Sequence, residues 1–243
     1  MYIHGLGEFF YRNNIEFRGL IKMPVTKKKS SLSDTLRVRS LSQRHREKPI
    51  NQQRVLVPFG GGKDSIVTAE LLKKAGAHVT LFRLGYLPII EELQHIAGFP
   101  LITVKRSISH TLFELNAAGA LNGHVPITAY VSILATLVAE LYGFDAVIMS
   151  NERSANHGNV EFKGMEINHQ WSKSVAFERA FRSYLEKTID TSVQYYSLLR
   201  PLSELKIAEI FSRYPAYFGT ATSCNTNWKI LSDDETEQRW CKT

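Results

Sequence analysis

A short apolar run, Val55-Leu56-Val57-Pro58-Phe59, passes straight into Gly60-Gly61-Gly62-Lys63-Asp64-Ser65. Three glycines in a row permit a tight bend and bring backbone N–H groups within reach of an anion. The residues after them, Ser65 to Ala75, carry a helical pattern closed by Gly76, which predicts strand, turn and helix in that order. The helix N-terminus adds free amides and a positive dipole end to the turn. Lys63 supplies a point charge, Ser65 a hydroxyl, and Asp64 a candidate magnesium ligand or N-cap. The loop is not a Walker A sequence, because Asp64 separates Lys63 from Ser65, and its glycine spacing is not that of a dinucleotide fingerprint.

The same alternation continues downstream. Strands are expected at Arg54–Phe59, His78–Phe82, Leu101–Val104 and Ala146–Met149. Helices are expected at Ser65–Ala75, Pro88–Ile96, Pro126–Tyr142 and His169–Glu186. In the long helix, Ile127, Val131, Leu134, Val138 and Leu141 form the apolar face expected in the core. Residues 150–168 read as a long polar loop, and residues 2–25 as an ordered lead-in with the character of strands. The pattern predicts an α/β fold: a mostly parallel, doubly wound sheet with an N-terminal extension. The organisation expected is a lead-in and basic linker over 1–53, a nucleotide-binding α/β body over 54–200, and a C-terminal segment over 201–243.

Charge is unevenly placed. The chain of 243 residues has a net charge of +7. Residues 1–53 hold eleven Lys or Arg and four Asp or Glu, so the remaining residues are balanced. Either a solvated basic connection over 26–53, the favoured reading, or a clamp for an anionic substrate or RNA accounts for this, and nucleic acid is not the expected partner. Two cysteines, Cys224 and Cys241, exclude a disulfide-dense secreted scaffold. No apolar run follows Met1 in signal-peptide order, and the uncharged stretch before Glu140 is broken by Asn122, Gly123, His124 and Pro126. A cytoplasmic protein without a membrane partner is expected; the pattern does not speak to oligomeric state.

Three further polar clusters mark candidate ligand contacts. Asn122-Gly123-His124 precedes the long helix and is either a helix-entry turn or a second nucleotide loop. Ser150-Asn151-Glu152-Arg153-Ser154-Ala155-Asn156-His157-Gly158-Asn159 begins where the fourth strand ends, the place where ligands sit on such sheets. Within it Glu152 is a candidate metal ligand or orienting carboxylate, and Arg153 can grip a carboxylate or phosphate with both arms of its guanidinium. Asn168-His169-Gln170-Trp171-Ser172-Lys173 comes next, with His169 a candidate general base and Lys173 a candidate substrate or proton contact. Glu178 is a further candidate.

The glycine loop resembles the PP-loop of ATP pyrophosphatases of the adenine-nucleotide alpha-hydrolase type, which read Ser-Gly-Gly-x-Asp-Ser. Here Gly61, Gly62, Asp64 and Ser65 match, and Gly60 replaces the first Ser. The resemblance implies ATP and Mg2+ held by Gly60 to Ser65, with Asp64 on the metal and Asn122, Gly123, Ser150 and Asn151 around the nucleotide. It also implies cleavage between the α- and β-phosphates. Together with Ser150–Asn156, Asn168–Lys173, Gly7–Asn13 and Arg18–Ile21, the chain is similar to the UDP-N-acetylmuramoyl-L-alanyl-L-glutamate epimerase family. That resemblance implies an isomerase of peptidoglycan precursor synthesis. Such an enzyme turns the terminal L-glutamate of the UDP-muramoyl dipeptide to D-glutamate through an acyl-adenylate, releasing AMP and pyrophosphate. On this reading Glu152, Arg153, His169 and Lys173 are catalytic, and Asn156, Asn159, Asn168 and Gln170 contact substrate. The family continues into Trp-Cys-x-x-Cys-x-Lys-Cys where this chain has Arg239-Trp240-Cys241-Lys242-Thr243, so a C-terminally truncated form is expected. Another adenylating enzyme of the PP-loop type, an amide ligase or tRNA-modifying enzyme, and an inactive nucleotide-binding fragment remain open alternatives.

Overall fold

The computed structural model describes residues 2–20, 48–158, 160–189 and 191–222. Most of the basic connection, together with Asn159, Cys224 and Cys241, lies outside the described residues. The core is a five-stranded sheet of β1 (Arg54–Pro58), β2 (His78–Leu84), β3 (Leu101–Val104), β4 (Ala146–Met149) and β7 (Gln194–Ser197). Its order is β3-β2-β1-β4-β7, and every pairing is parallel. β1 leads outward to β2 on one side, and β4 leads outward to β7 on the other. The order therefore reverses between β1 and β4, which is the switch point of the sheet.

Side chains alternate across β1, so each face receives its own core. Val55 and Val57 join a buried cluster with Ile66, Leu72, Ile90, Leu93 and Ile207. These come from α3 (Lys63–Lys74), α4 (Pro88–Ala97) and α8 (Glu204–Phe211). Leu56 joins the opposite cluster with Ala135, Val138, Phe177 and Phe181, from α6 (Ile127–Tyr142) and α7 (Val175–Tyr184). The doubly wound α/β architecture expected from the alternation is the one observed. One short helix between β3 and α6, α5 (His110–Ala117), was not anticipated, nor were β7 and α8. No helix among the described residues is long and apolar enough to cross a membrane.

Four expectations need correction. Residues 2–20 form two short helices, α1 (Tyr2–Gly5) and α2 (Gly7–Arg12), not strands. The buried residues of α2, Gly7 and Phe10, are three apart, a helical spacing, and Phe10 stacks on Phe17. The polar loop 150–168 contains a hairpin, β5 (Val160–Phe162) with β6 (Met165–Ile167). It turns through Lys163 and Gly164, both at positive φ, as a two-residue hairpin with this twist demands. The helix expected from His169 begins at Val175, because Trp171–Lys173 is a 3-10 turn and Ser174 caps the helix after it. Finally, the expected face of α6 meets the core only along its middle, where Val131 and Leu134 pack partly buried against it. Val138 is buried, but Ile127 and Leu141 are 42% and 71% exposed.

Candidate active site

At the carboxyl end of β1 the chain turns through the three glycines. Gly61 holds φ +81°, and a Cβ there would lie 2.9 Å from Ile90 Cδ1. A Cβ on Gly62 would lie 3.2 Å from the Thr222 carbonyl, whereas one on Gly60 would meet nothing within 4 Å. Two glycines therefore seat the loop against the protein, and the third leaves its outer side open. The N-termini of α7 and α8 are closed by Ser174 and Ser203, whose hydroxyls accept backbone N–H bonds. α3 has no side-chain cap, and Ser65 instead donates to the Gly62 carbonyl at 3.0 Å. Its first amides thus face the glycine turn without a competing side-chain acceptor.

Lys63 Nζ lies 3.0 Å from Asp64 Oδ1 and 3.1 Å from Glu204 Oε1. Burial works to lower the Lys63 pKa, but the two carboxylates outweigh it and hold it above the ordinary value. The loop is backed by residues 217–222. Thr222 N–H donates to the Gly61 carbonyl at 3.0 Å, Thr220 Oγ1 donates to Glu92 Oε1 at 3.0 Å, and the Tyr217 hydroxyl donates to Glu70. The part of the C-terminal segment that is described thus packs directly on the glycine loop.

Across the switch point, Asn151 Nδ2 donates to Ser197 Oγ at 3.1 Å. Arg200 gathers the ends of β4, β7 and α7. It donates to the Glu152 carbonyl at 3.0 Å, to Ser197 Oγ at 3.2 Å and to Glu178 Oε2 at 2.9 Å. Glu152 accepts both the N–H and the hydroxyl of Ser154 at 2.5 Å, which folds residues 152–156 into a compact turn. Arg153 projects from that turn into solvent, while its N–H donates to the Leu202 carbonyl at 3.2 Å. Ser150 Oγ is buried with no hydrogen-bond partner among the described residues.

A second group forms where the N-terminal helices meet the Trp171–Lys173 turn, on which His4 stacks against Trp171. Asn156 Oδ1 accepts the Val175 N–H at 2.7 Å, and Asn168 Nδ2 donates to the Ala155 carbonyl at 2.9 Å. Asn168 Oδ1 accepts the Gln170 N–H at 2.8 Å, and the Gln170 amide lies 3.3 Å from His169 Nε2. The His169 and His124 rings meet edge to face at 6.3 Å between centroids. Burial lowers the His124 pKa below its ordinary 6.5; Glu8 opposes this, while His169 and Lys173 reinforce it. Asn122 and Gly123 face the N-terminal helices. Asn13 donates to the Asn122 carbonyl at 2.8 Å, and a Cβ on Gly123 would lie 2.8 Å from Phe9 Cα.

The candidate residues therefore fall into three neighbourhoods: the glycine loop, the Asn151–Arg153 turn, and the His169–Lys173 turn with His124. Asn159 lies outside the described residues. Sequence reasoning passed over Arg200, Ser197, Glu204 and Thr222. Arg200-Pro201-Leu202-Ser203-Glu204 carried a usable signal, since it places Arg ahead of a Ser cap and an acidic first turn.

A parallel sheet wound on both faces, with an uncapped helix behind a glycine turn at the switch point, defines a doubly wound α/β domain, a class in which ligands bind at the carboxyl ends of the strands beside the switch point. Within that class, the chain belongs to the MurL N-terminal domain family, which it matches over residues 1–198. It is 40% identical over 241 residues to the UDP-N-acetyl-alpha-D-muramoyl-L-alanyl-L-glutamate epimerase of Xanthomonas oryzae pv. oryzae, covering 99% of this chain and 50% of that protein. It is 44% identical over 190 residues to the protein of the same name from Salinispora tropica, covering 78% of this chain and 41% of that one. The chain thus spans about half the length of the curated relatives it matches. Among solved structures, a predicted subunit of tRNA methyltransferase from Methanocaldococcus jannaschii aligns at 18% identity and a TM-score of 0.40, over 65% of this chain and 75% of the other.

Proposed function

We propose that this chain is the ATP-binding half of an enzyme that inverts the terminal glutamate of UDP-N-acetylmuramoyl-L-alanyl-L-glutamate. The observation that carries the reading is the glycine cradle at the switch point, in a chain whose relatives bear that enzyme's name. The residues present suit a nucleotide triphosphate. Gly60 leaves the outer side of the turn open, α3 offers uncapped amides, and Lys63 lies beside the turn. Ser150 Oγ, buried and unpartnered, is a further group suited to a polar ligand. Asp64, whose Oδ1 is paired with Lys63 at 3.0 Å, is the carboxylate that would hold Mg2+, and the ion would offset phosphate charge. Among the described residues no group of three or more His, Cys, Asp or Glu is arranged to hold a metal alone.

The chemical need is specific. Removing the α-proton of a carboxylate places a second negative charge beside the first, so that proton is very weakly acidic. Attack of the carboxylate on the α-phosphorus of ATP would release pyrophosphate and leave an acyl-adenylate, which masks the carboxylate charge and makes its carbonyl a better electron sink; water would cleave it after inversion, releasing AMP. The protein's own groups then act on the substrate. Arg153, open to solvent, binds an anionic substrate, and Glu152 holds the turn that presents it. Burial depresses the His124 pKa and so favours its neutral imidazole, the form of the ring that can accept a proton. His169 beside it and Lys173 complete the candidate proton-transfer set.

The test is product analysis with α-labelled ATP and the muramoyl dipeptide. It uses this chain alone and joined to the second half of the Xanthomonas oryzae relative. AMP, pyrophosphate and D-glutamate are expected from the joined protein. ADP as the product, or inversion of glutamate without ATP, overturns the reading.

A further inference from the structure

Helix α6 is apolar on two faces, and only one of them meets the sheet. Its buried residues are mostly small: Ser132, Ala135, Thr136 and Ala139, with Val138. Val131 and Leu134 are partly buried against the same core, but its other large side chains point the other way. Ile127, Tyr130, Ile133, Leu137 and Leu141 are 42%, 50%, 54%, 53% and 71% exposed. They recur at three- and four-residue steps, so they share one stripe of the helix. Ordinary amphipathic helices do the opposite and turn large apolar side chains inward. The stripe also lacks the charges that solvated faces carry, because no Asp, Glu, Lys or Arg occurs between Leu115 and Ala139. Continuous apolar surface without charge marks a face built to be covered.

We propose that this stripe of α6 is the docking face for the second half of the MurL architecture. The occupant is identified by length. The matched family is an N-terminal domain, and the Xanthomonas oryzae relative is about twice as long as its matched region. A companion domain of similar size is therefore part of that protein, and an interface of this chemistry buries a face like this one. The partner surface is apolar at its centre, with shape complementary to a row of Ile, Leu and Tyr side chains.

The test measures association of this chain with the separately produced second half of the Xanthomonas oryzae relative, by sedimentation velocity. A one-to-one complex is expected, weakened at least tenfold by Ile133→Glu with Leu137→Glu. Leu205→Glu, an exposed control on α8 at 81% exposure, should leave it unchanged. Two folded halves that do not associate, or a complex indifferent to the α6 substitutions, would overturn the proposal. So would self-association of this chain through the stripe that excludes the second half, because the occupant would then be a second copy. If the second half does not fold alone, the joined protein is melted instead. One cooperative transition that splits into two on substitution supports the proposal, and an unchanged single transition overturns it.

Discussion

At the residue scale, Arg200 is the most heavily committed side chain of the site. Its guanidinium binds the Glu152 carbonyl, Ser197 and Glu178 at once, and the Arg200 and Glu178 side chains are only 17% and 15% exposed. Removing one charge strands the other in a poorly hydrated place. Glu178→Gln is therefore expected to cost about 2–3 kcal/mol by urea denaturation, while Glu178→Met with Arg200→Met recovers much of that loss. A double variant as unstable as the single one would show that the pair is not the reason. His124 makes a pH prediction. Its folded pKa lies below its ordinary 6.5, so the unfolded chain binds more protons between the two values. Stability is then fully present above about pH 6.5 and falls as the pH drops through the folded pKa. His124→Gln should flatten that part of the stability profile, and an unchanged slope would remove His124 as its source.

At the scale of elements, the sequence was most readable where a short apolar run met a turn signal. β1, β3, β4 and the helix behind the glycines stand within a residue or two of their expected limits, because each is bounded by Gly, Pro or a charge. β7, Gln194–Ser197, was illegible. Its Gln-Tyr-Tyr-Ser sequence is polar, and only pairing with β4 makes it a strand. The hairpin β5–β6 was hidden because each strand has three residues and its turn is Lys-Gly, not Asn-Gly. α6 was legible in its middle, where Val131, Leu134 and Val138 meet the core, and not at its ends, because apolar residues on both of its faces leave Ile127 and Leu141 no phase that tells sheet from solvent. Within the candidate site, the clusters were visible as polar runs, but Arg200 lies some fifty residues from the Glu152 loop it braces, and no local pattern reports such contacts. Asn156 is the stitch between two of these elements, accepting from Val175 N–H and donating to the Arg153 carbonyl. Asn156→Ala is expected to cost about 1–2 kcal/mol and to speed amide exchange at the start of α7. Unchanged exchange there would mean that the turn holds without it.

At the scale of the whole molecule, the sheet brings the ends of β1 and β4 side by side, and two distant parts of the chain close around them. The N-terminal helices cover Gly123 and the His124 group. Residues 217–222 buttress the glycine loop from the other end of the sequence. The loop is therefore a product of the complete fold and not of its local sequence alone. Gly61 concentrates this dependence, because a methyl group there meets both a left-handed backbone and the Ile90 side chain. Gly61→Ala should cost about 2–5 kcal/mol of stability, backbone strain and crowding together, so its folding is verified by circular dichroism before nucleotide is added. Calorimetric titration of the folded chain with magnesium and a non-hydrolysable ATP analogue is the most direct measurement. Saturable binding by the native chain is expected, and its loss in folded Gly61→Ala. A native chain that takes up no nucleotide, or a Gly61→Ala chain that binds it equally well, would rule out the glycine loop as a nucleotide site.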